Sequence, residues 1–197
     1  MILEAAKKVF LKKGNAGARM QEIADEAGIN KALLHYYYRS KEKLFRAVFR
    51  VVFSKLMPKI AEVISSDLPL FEKIEIFTEK YIDVLSRNPL IPMFILQELD
   101  KNPEGLISLI LDLIKDIGLK PEIFFKQVEY EIKMGNIRHI EPRQLIINMF
   151  SMCIFPFLGR PLLQRIIFDN DSKHYDRFLN DRKKEVSKFI INSIKIS

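Results

Sequence analysis

Apolar side chains recur every three or four positions along nearly the whole chain, and no stretch alternates strictly between apolar and polar; the pattern predicts an all-α protein. Ile2, Ala5, Ala6, Val9 and Phe10 form one stripe, so a first helix is expected from Ile2 to Lys13, stopped by Gly14. A short second helix, Gln21 to Ala27, sets Ile23 and Ala27 on one face. Gly28 can enter a left-handed turn without steric cost, Ile29 returns an apolar side chain inward, and Asn30 is a favoured N-cap for a third helix. On that helix Leu34 and Tyr38 point inward by their i,i+4 spacing. Lys31, Ala32, His35 and Tyr36 then face out, with Leu33 and Tyr37 on the rim.

Ser40 is expected to cap a long fourth helix from Glu42 to about Ser65, with Leu44, Phe45, Val48, Phe49, Val52, Phe53, Leu56 and Ile60 at helical spacing and a kink near Pro58. Further helices are expected over Leu70–Ser86, Leu90–Leu99, Glu104–Ile117, Glu122–Met134, Arg143–Phe155, Leu162–Phe168 and Tyr175–Ile196. Asn88-Pro89, Asn102-Pro103, Gly118, Gly135-Asn136 and the run Phe155 to Pro161 separate them.

Two short helices joined by Ala27-Gly28-Ile29-Asn30 make the pattern of a helix-turn-helix, whose second helix enters a DNA major groove. Lys31 can reach a guanine edge or a phosphate, and Ala32 permits close approach. His35 and Tyr36 can donate to phosphate or touch a thymine methyl. The bland alternative is a solvated helical hairpin with its aromatics in the core, but three consecutive tyrosines cannot all be core on one helix.

Charge sharpens this picture. The formal net charge is +7, and residues 1–50 hold eleven Lys or Arg against five Asp or Glu, which places +6 of it on the helix-turn-helix segment. The single cysteine, Cys153, allows no intrachain disulfide, and the charged start is no signal peptide. The most apolar run, Leu145 to Leu158, is too short to span a bilayer, so a cytoplasmic location is expected. His35, His139 and His174 lack metal-ligand spacing, Cys153 lies in an apolar helix, and no glycine-rich phosphate loop is present. Neither an enzyme nor a cofactor is expected from such a chain.

Ile2-Leu3-Glu4-Ala5-Ala6, Val9-Phe10, Gly14, Ile23-Ala24, Ala27-Gly28-Ile29, Leu34, Tyr36 and Ser40-Lys41-Glu42-Lys43-Leu44 together resemble the tetracycline-repressor (TetR) type of bacterial transcriptional regulator, over about the first 50 residues. The resemblance implies a three-helix helix-turn-helix DNA-binding domain over residues 1–46 and a larger helical effector-binding and dimerisation domain over residues 47–197, the boundary falling near Ala47 to Lys55 within a shared helix. It also implies that Lys41 contacts a phosphate at the start of the fourth helix. Many members carry two threonines where this chain has Arg19 and Met20; Arg19 cannot cap through a side-chain acceptor but can ligate the same phosphate by its charge and fork geometry. The expected DNA contacts are thus Arg19, Lys31, Ala32, His35, Tyr36, Tyr37 and Lys41.

Family members bind a small molecule between the later helices, where this chain offers Phe77, Tyr81, Met93, Phe94, Gln97, Phe124, Met149 and Met152. Such a set suits an apolar ligand held by few polar contacts, although each residue alone reads equally as packed core. The last two long helices carry more apolar surface than a thin domain can hide, and pairing them with a second copy would form a twofold four-helix interface. Such a dimer would set two recognition helices about 34 Å apart, on a pseudo-palindromic operator. The expectation is a homodimeric repressor released from double-stranded DNA by a small apolar effector. Two alternatives stay open: a helical protein-interaction adaptor, and a carrier or enzyme for a lipid-like molecule.

Overall fold

A computed structural model describes residues 1–54 and 57–196; Lys55 and the expected apolar position Leu56 lie outside the described residues. Among the described residues there are twelve helices and no strand, the only extended pairing being an isolated antiparallel bridge between Ile137 and Lys195. Contacts gather the chain into two compact units, Met1–Met57 with Leu90–Ile117 and Pro58–Pro89 with Gly118–Ser197. The first unit holds α1 (Ile2–Gly17), α2 (Met20–Glu26), α3 (Lys31–Tyr37) and α4 (Lys41–Phe53). After α5 (Met57–Ser65) and α6 (Leu70–Arg87), which lie almost wholly in the second unit, the first is completed by α7 (Ile91–Lys101) and α8 (Pro103–Asp116). The second unit continues with α9 (Pro121–Lys133), α10 (Pro142–Leu158), α11 (Arg160–Ile166) and α12 (Ser172–Ile194).

An aromatic cluster forms the core of the first unit. Phe10 of α1 meets Phe45 of α4 edge-on, with ring centres 5.2 Å apart, and Phe94 of α7 lies 5.5 Å from Phe45. Such pairs add about 0.5–1.5 kcal/mol to the burial of each ring. Gly14 does not end α1 but kinks it, taking φ 68° and ψ 174°, so that a last turn restarts at Asn15. The long helix expected from Glu42 to Ser65 is instead two elements. α4 ends at Phe53, and Pro58 is the second residue of α5, where its missing N–H costs nothing.

In the second unit α10 runs on through Pro156 to Leu158, beyond the interruption expected from Phe155. Proline has no N–H for the carbonyl four residues back. Arg182 of α12 supplies what is missing, donating from Nε and Nη2 to the Met152 carbonyl at 3.3 and 3.2 Å. Tyr175 donates from its hydroxyl to the Pro156 carbonyl at 2.6 Å. The break comes at Gly159, where α11 turns away by 71°. Lys73, fully buried on α6, donates to the carbonyls of Ile64 and Ser66 and to Gln127 Oε1 at 3.3, 2.8 and 2.6 Å, which pins the α5–α6 connection. Burial pushes its pKa below the ordinary lysine value. Among the described residues no single helix is long and apolar enough to cross a membrane.

Candidate nucleic-acid interface

The turn between α2 and α3 forms by local chemistry. Gly28 takes φ 64°, the Ile29 N–H bonds back to the Ala24 carbonyl at 3.0 Å, and Asn30 Oδ1 caps α3 by accepting from the Leu33 N–H at 2.7 Å. Ile23, Ala24 and Leu34 are completely buried, which fixes the rotation of α3 about its axis. Tyr38 is half-buried, as its spacing from Leu34 predicts. Lys31, Ala32 and His35 consequently lie in the open, beside Tyr36 at 78% and Tyr37 at 61% exposure. The two tyrosine rings meet edge-on, 5.5 Å apart, and so form one wedge rather than two independent side chains.

Arg19 is exposed and, as expected of its side chain, makes no cap bond at the start of α2. Ion pairs sort the surrounding charges. Lys8–Glu26 and Lys13–Glu22, each 2.9 Å, staple α1 to α2, and Lys13 holds the Glu22 carboxyl below the usual range, with a smaller pull from the Arg19 backbone N–H. Arg46 and Arg50 of α4 reach Asp112 and Asp116 of α8 at 3.9 and 3.4 Å. Among the described residues Arg19, Lys31, Arg39 and Lys43 carry no ion pair and are exposed, as is Lys12 of α1, so four of these open cations lie on α3 and its two flanks.

Lys41, the expected phosphate contact at the start of α4, already has partners within its own unit. Its ammonium donates to the carbonyls of Asn15 and Ala18 at 2.7 and 3.2 Å, which leaves one N–H for any phosphate. The partner residue Asn15 was not singled out from sequence, because a loop asparagine after a glycine carries no signal of its own. Ser40, by contrast, caps α4 as expected, its hydroxyl accepting from the Lys43 N–H at 3.2 Å.

The eight candidate ligand residues divide between the two units. Phe77 and Tyr81 of α6 both pack edge-on against Phe150 of α10, at 5.0 and 5.2 Å, with Met149 and Phe124 fully buried in the same unit and Met152 half-buried. Burial drives the Tyr81 phenol far above its ordinary pKa. Phe94 belongs instead to the α1–α4–α7 aromatic cluster; Gln97 is half-buried and Met93 exposed on the same helix. A groove of about 590 Å³ lies elsewhere in the second unit, between Glu75 and Glu79 of α6 and Lys183, Lys184 and Lys188 of α12. Its lining is charged, and Lys183 is already paired with Asp83 at 2.5 Å.

The sequence profile of bacterial regulatory proteins of the tetR family matches residues 2–48. The HTH-type transcriptional repressor NicS of Pseudomonas putida is 43% identical over 53 residues, a match spanning 27% of this chain and 25% of that protein. Among solved structures, a Clostridium perfringens protein described as a fatty acid metabolism regulator superposes with a TM-score of 0.71 at 21% identity, covering 100% of this chain and 99% of that one. AibR, solved in complex with isovaleryl coenzyme A and operator DNA, gives a TM-score of 0.64 at 18% identity over 79% of this chain and 83% of its own.

Proposed function

We propose that the chain, whose residues 2–48 match the tetR family of bacterial regulatory proteins, is a homodimeric repressor which leaves its operator when a small, largely apolar ligand binds. One observation carries the proposal: α3 buries Leu34 completely and turns Lys31, Ala32, His35 and the Tyr36–Tyr37 pair outward. A packed hairpin has no use for an exposed phenol pair beside unpaired cations; a major groove does. Arg19 flanks that face and supplies a phosphate contact, and Lys41 offers its one remaining N–H.

A ligand-responsive reading is supported by AibR, whose complex holds isovaleryl coenzyme A, and the apolar class by the aromatic and thioether side chains of Phe77, Tyr81, Phe124, Met149 and Met152, packed together in the second unit. Residues 1–46 are the DNA-binding part in this scheme and residues 47–197 the effector-binding and dimerisation part, working in the cytoplasm without catalysing a reaction. The ligand acts by differential affinity for two dispositions of α4.

Duplexes selected from a random pool test this by titration at two salt concentrations. Lys31→Ala, His35→Ala and Tyr36→Ala should each cost about 1–3 kcal/mol on the selected duplex where a base is read. Arg19→Ala should weaken all sequences evenly and reduce the salt slope by about 1. Weak binding that ignores salt would favour the adaptor alternative. A lipid extracted with the protein that leaves DNA affinity untouched would favour the carrier.

A further inference from the structure

The joint of α1, α4 and α7 holds a carboxylate that groove contacts do not use. Glu98 of α7 is 2% exposed, and its Oε1 accepts from the Asn15 backbone N–H at 2.6 Å. That N–H follows the kink at Gly14 directly, so Glu98 caps the restarted turn of α1 from another helix. The approach is close: a Cβ on Gly14 would stand 3.1 Å from Gln97 Oε1 and 3.3 Å from Glu98 Oε1. Asn15 passes the constraint on. Its carbonyl, with that of Ala18, accepts from Lys41 Nζ, and its Nδ2 donates to Glu42 Oε2 at 3.1 Å. Lys41 and Glu42 open α4, three residues beyond the end of α3.

We propose that Glu98 is a positioning residue for the DNA-binding face. By holding the Asn15 N–H it fixes the two carbonyls that seat Lys41, and so sets where α4, and α3 before it, stand against α1. The inference rests on the regulator proposed above and adds the route by which α7 reaches the groove-facing helix. Phe94, one turn before Glu98, packs against Phe45 and Phe49 of α4, so a displacement of α7 acts on the DNA-binding helices through an apolar contact and a polar one together.

The test uses the full chain and limiting amine acetylation read by mass spectrometry, with random-sequence duplex affinity measured alongside. In the native protein Lys41 should label several-fold more slowly than its exposed neighbour Lys43. Glu98→Leu, which keeps bulk and removes the acceptor, should raise Lys41 labelling towards that of Lys43, leave Lys12 unchanged and lower duplex affinity. Glu98→Gln retains an acceptor oxygen and should keep both readouts near the native values. Unchanged Lys41 labelling in Glu98→Leu overturns the proposal, as does raised labelling with native duplex affinity. Should Glu98→Leu fail to fold, amide exchange in the native chain decides: a slow Asn15 N–H supports the cap, and a fast one overturns it. A native chain without duplex affinity would refute the regulator itself, a result visible before any variant is made.

Discussion

Cys153 sits completely buried on α10, and desolvation pushes its thiol up to about 12, against a weaker downward pull from Arg182. At pH 8 only about one thiol in 10⁴ would then be ionised, and the thiolate is the reactive form. Native protein should react negligibly with a disulfide reagent at that pH, while denatured protein should release one equivalent of thiol; prompt reaction in the folded state would contradict the burial described. The inert character of Cys153 follows from its apolar helix and was legible in sequence. Lys73 was not. Nothing local distinguishes it from the exposed lysines of the chain, because its three acceptors come from the last turn of α5, from Ser66 just after it and from Gln127 of α9. Lys41 taught the same lesson: its place in a motif located it, and two backbone carbonyls determined what its ammonium does.

Elements were legible where their signals are short-range. Gly28, Asn30 and Leu34 define turn, cap and buried face within one short stretch; α2 forms within a residue of its expected ends and α3 begins directly after its Asn30 cap. Expectations failed where a distant side chain repairs a local defect. Pro156 reads as a helix breaker, and α10 persists through it because Arg182, 30 residues after Met152, bonds the orphaned Met152 carbonyl. That account yields a double-mutant cycle. Arg182→Met should destabilise the fold by about 1–3 kcal/mol in urea unfolding, the cost of a buried acceptor left unpaired. In a Pro156→Ala background the restored N–H can serve Met152, so the same change should cost markedly less. Additive effects would show that the arginine acts through something other than that carbonyl.

Across the whole molecule, the helical class and the helix-turn-helix segment follow from periodicity and local turn signals, but the grouping of helices does not. α7 and α8 join α1–α4 in one compact unit through Phe94 and through the ion pairs of Arg46 and Arg50. A helical stripe announces that a face will be buried without naming the helix that buries it, so the eight candidate ligand residues fell into one set on paper and into two units in space. Self-association is the property that belongs to this scale. The dimer expected through the last two long helices has apolar side chains open for it: Ile147 and Phe155 of α10 and Phe189 of α12 are 55%, 56% and 63% exposed, with Leu162 and Ile166 of the intervening α11 at 59% and 69%. Sedimentation should report a dimer. Phe155→Glu or Ile166→Glu should shift it to monomer and weaken binding to a two-half-site duplex far more than to a single half-site; a dimer that survives both changes would move the seam elsewhere.

The 71° corner at Gly159 splits that surface between two arms. A blocking peptide copied from the 17 residues of α10 would carry Ile147 and Phe155 and lack the patch around the bend. Effective inhibitors of pairing would therefore need an angular scaffold, and a straight helix mimic should compete poorly.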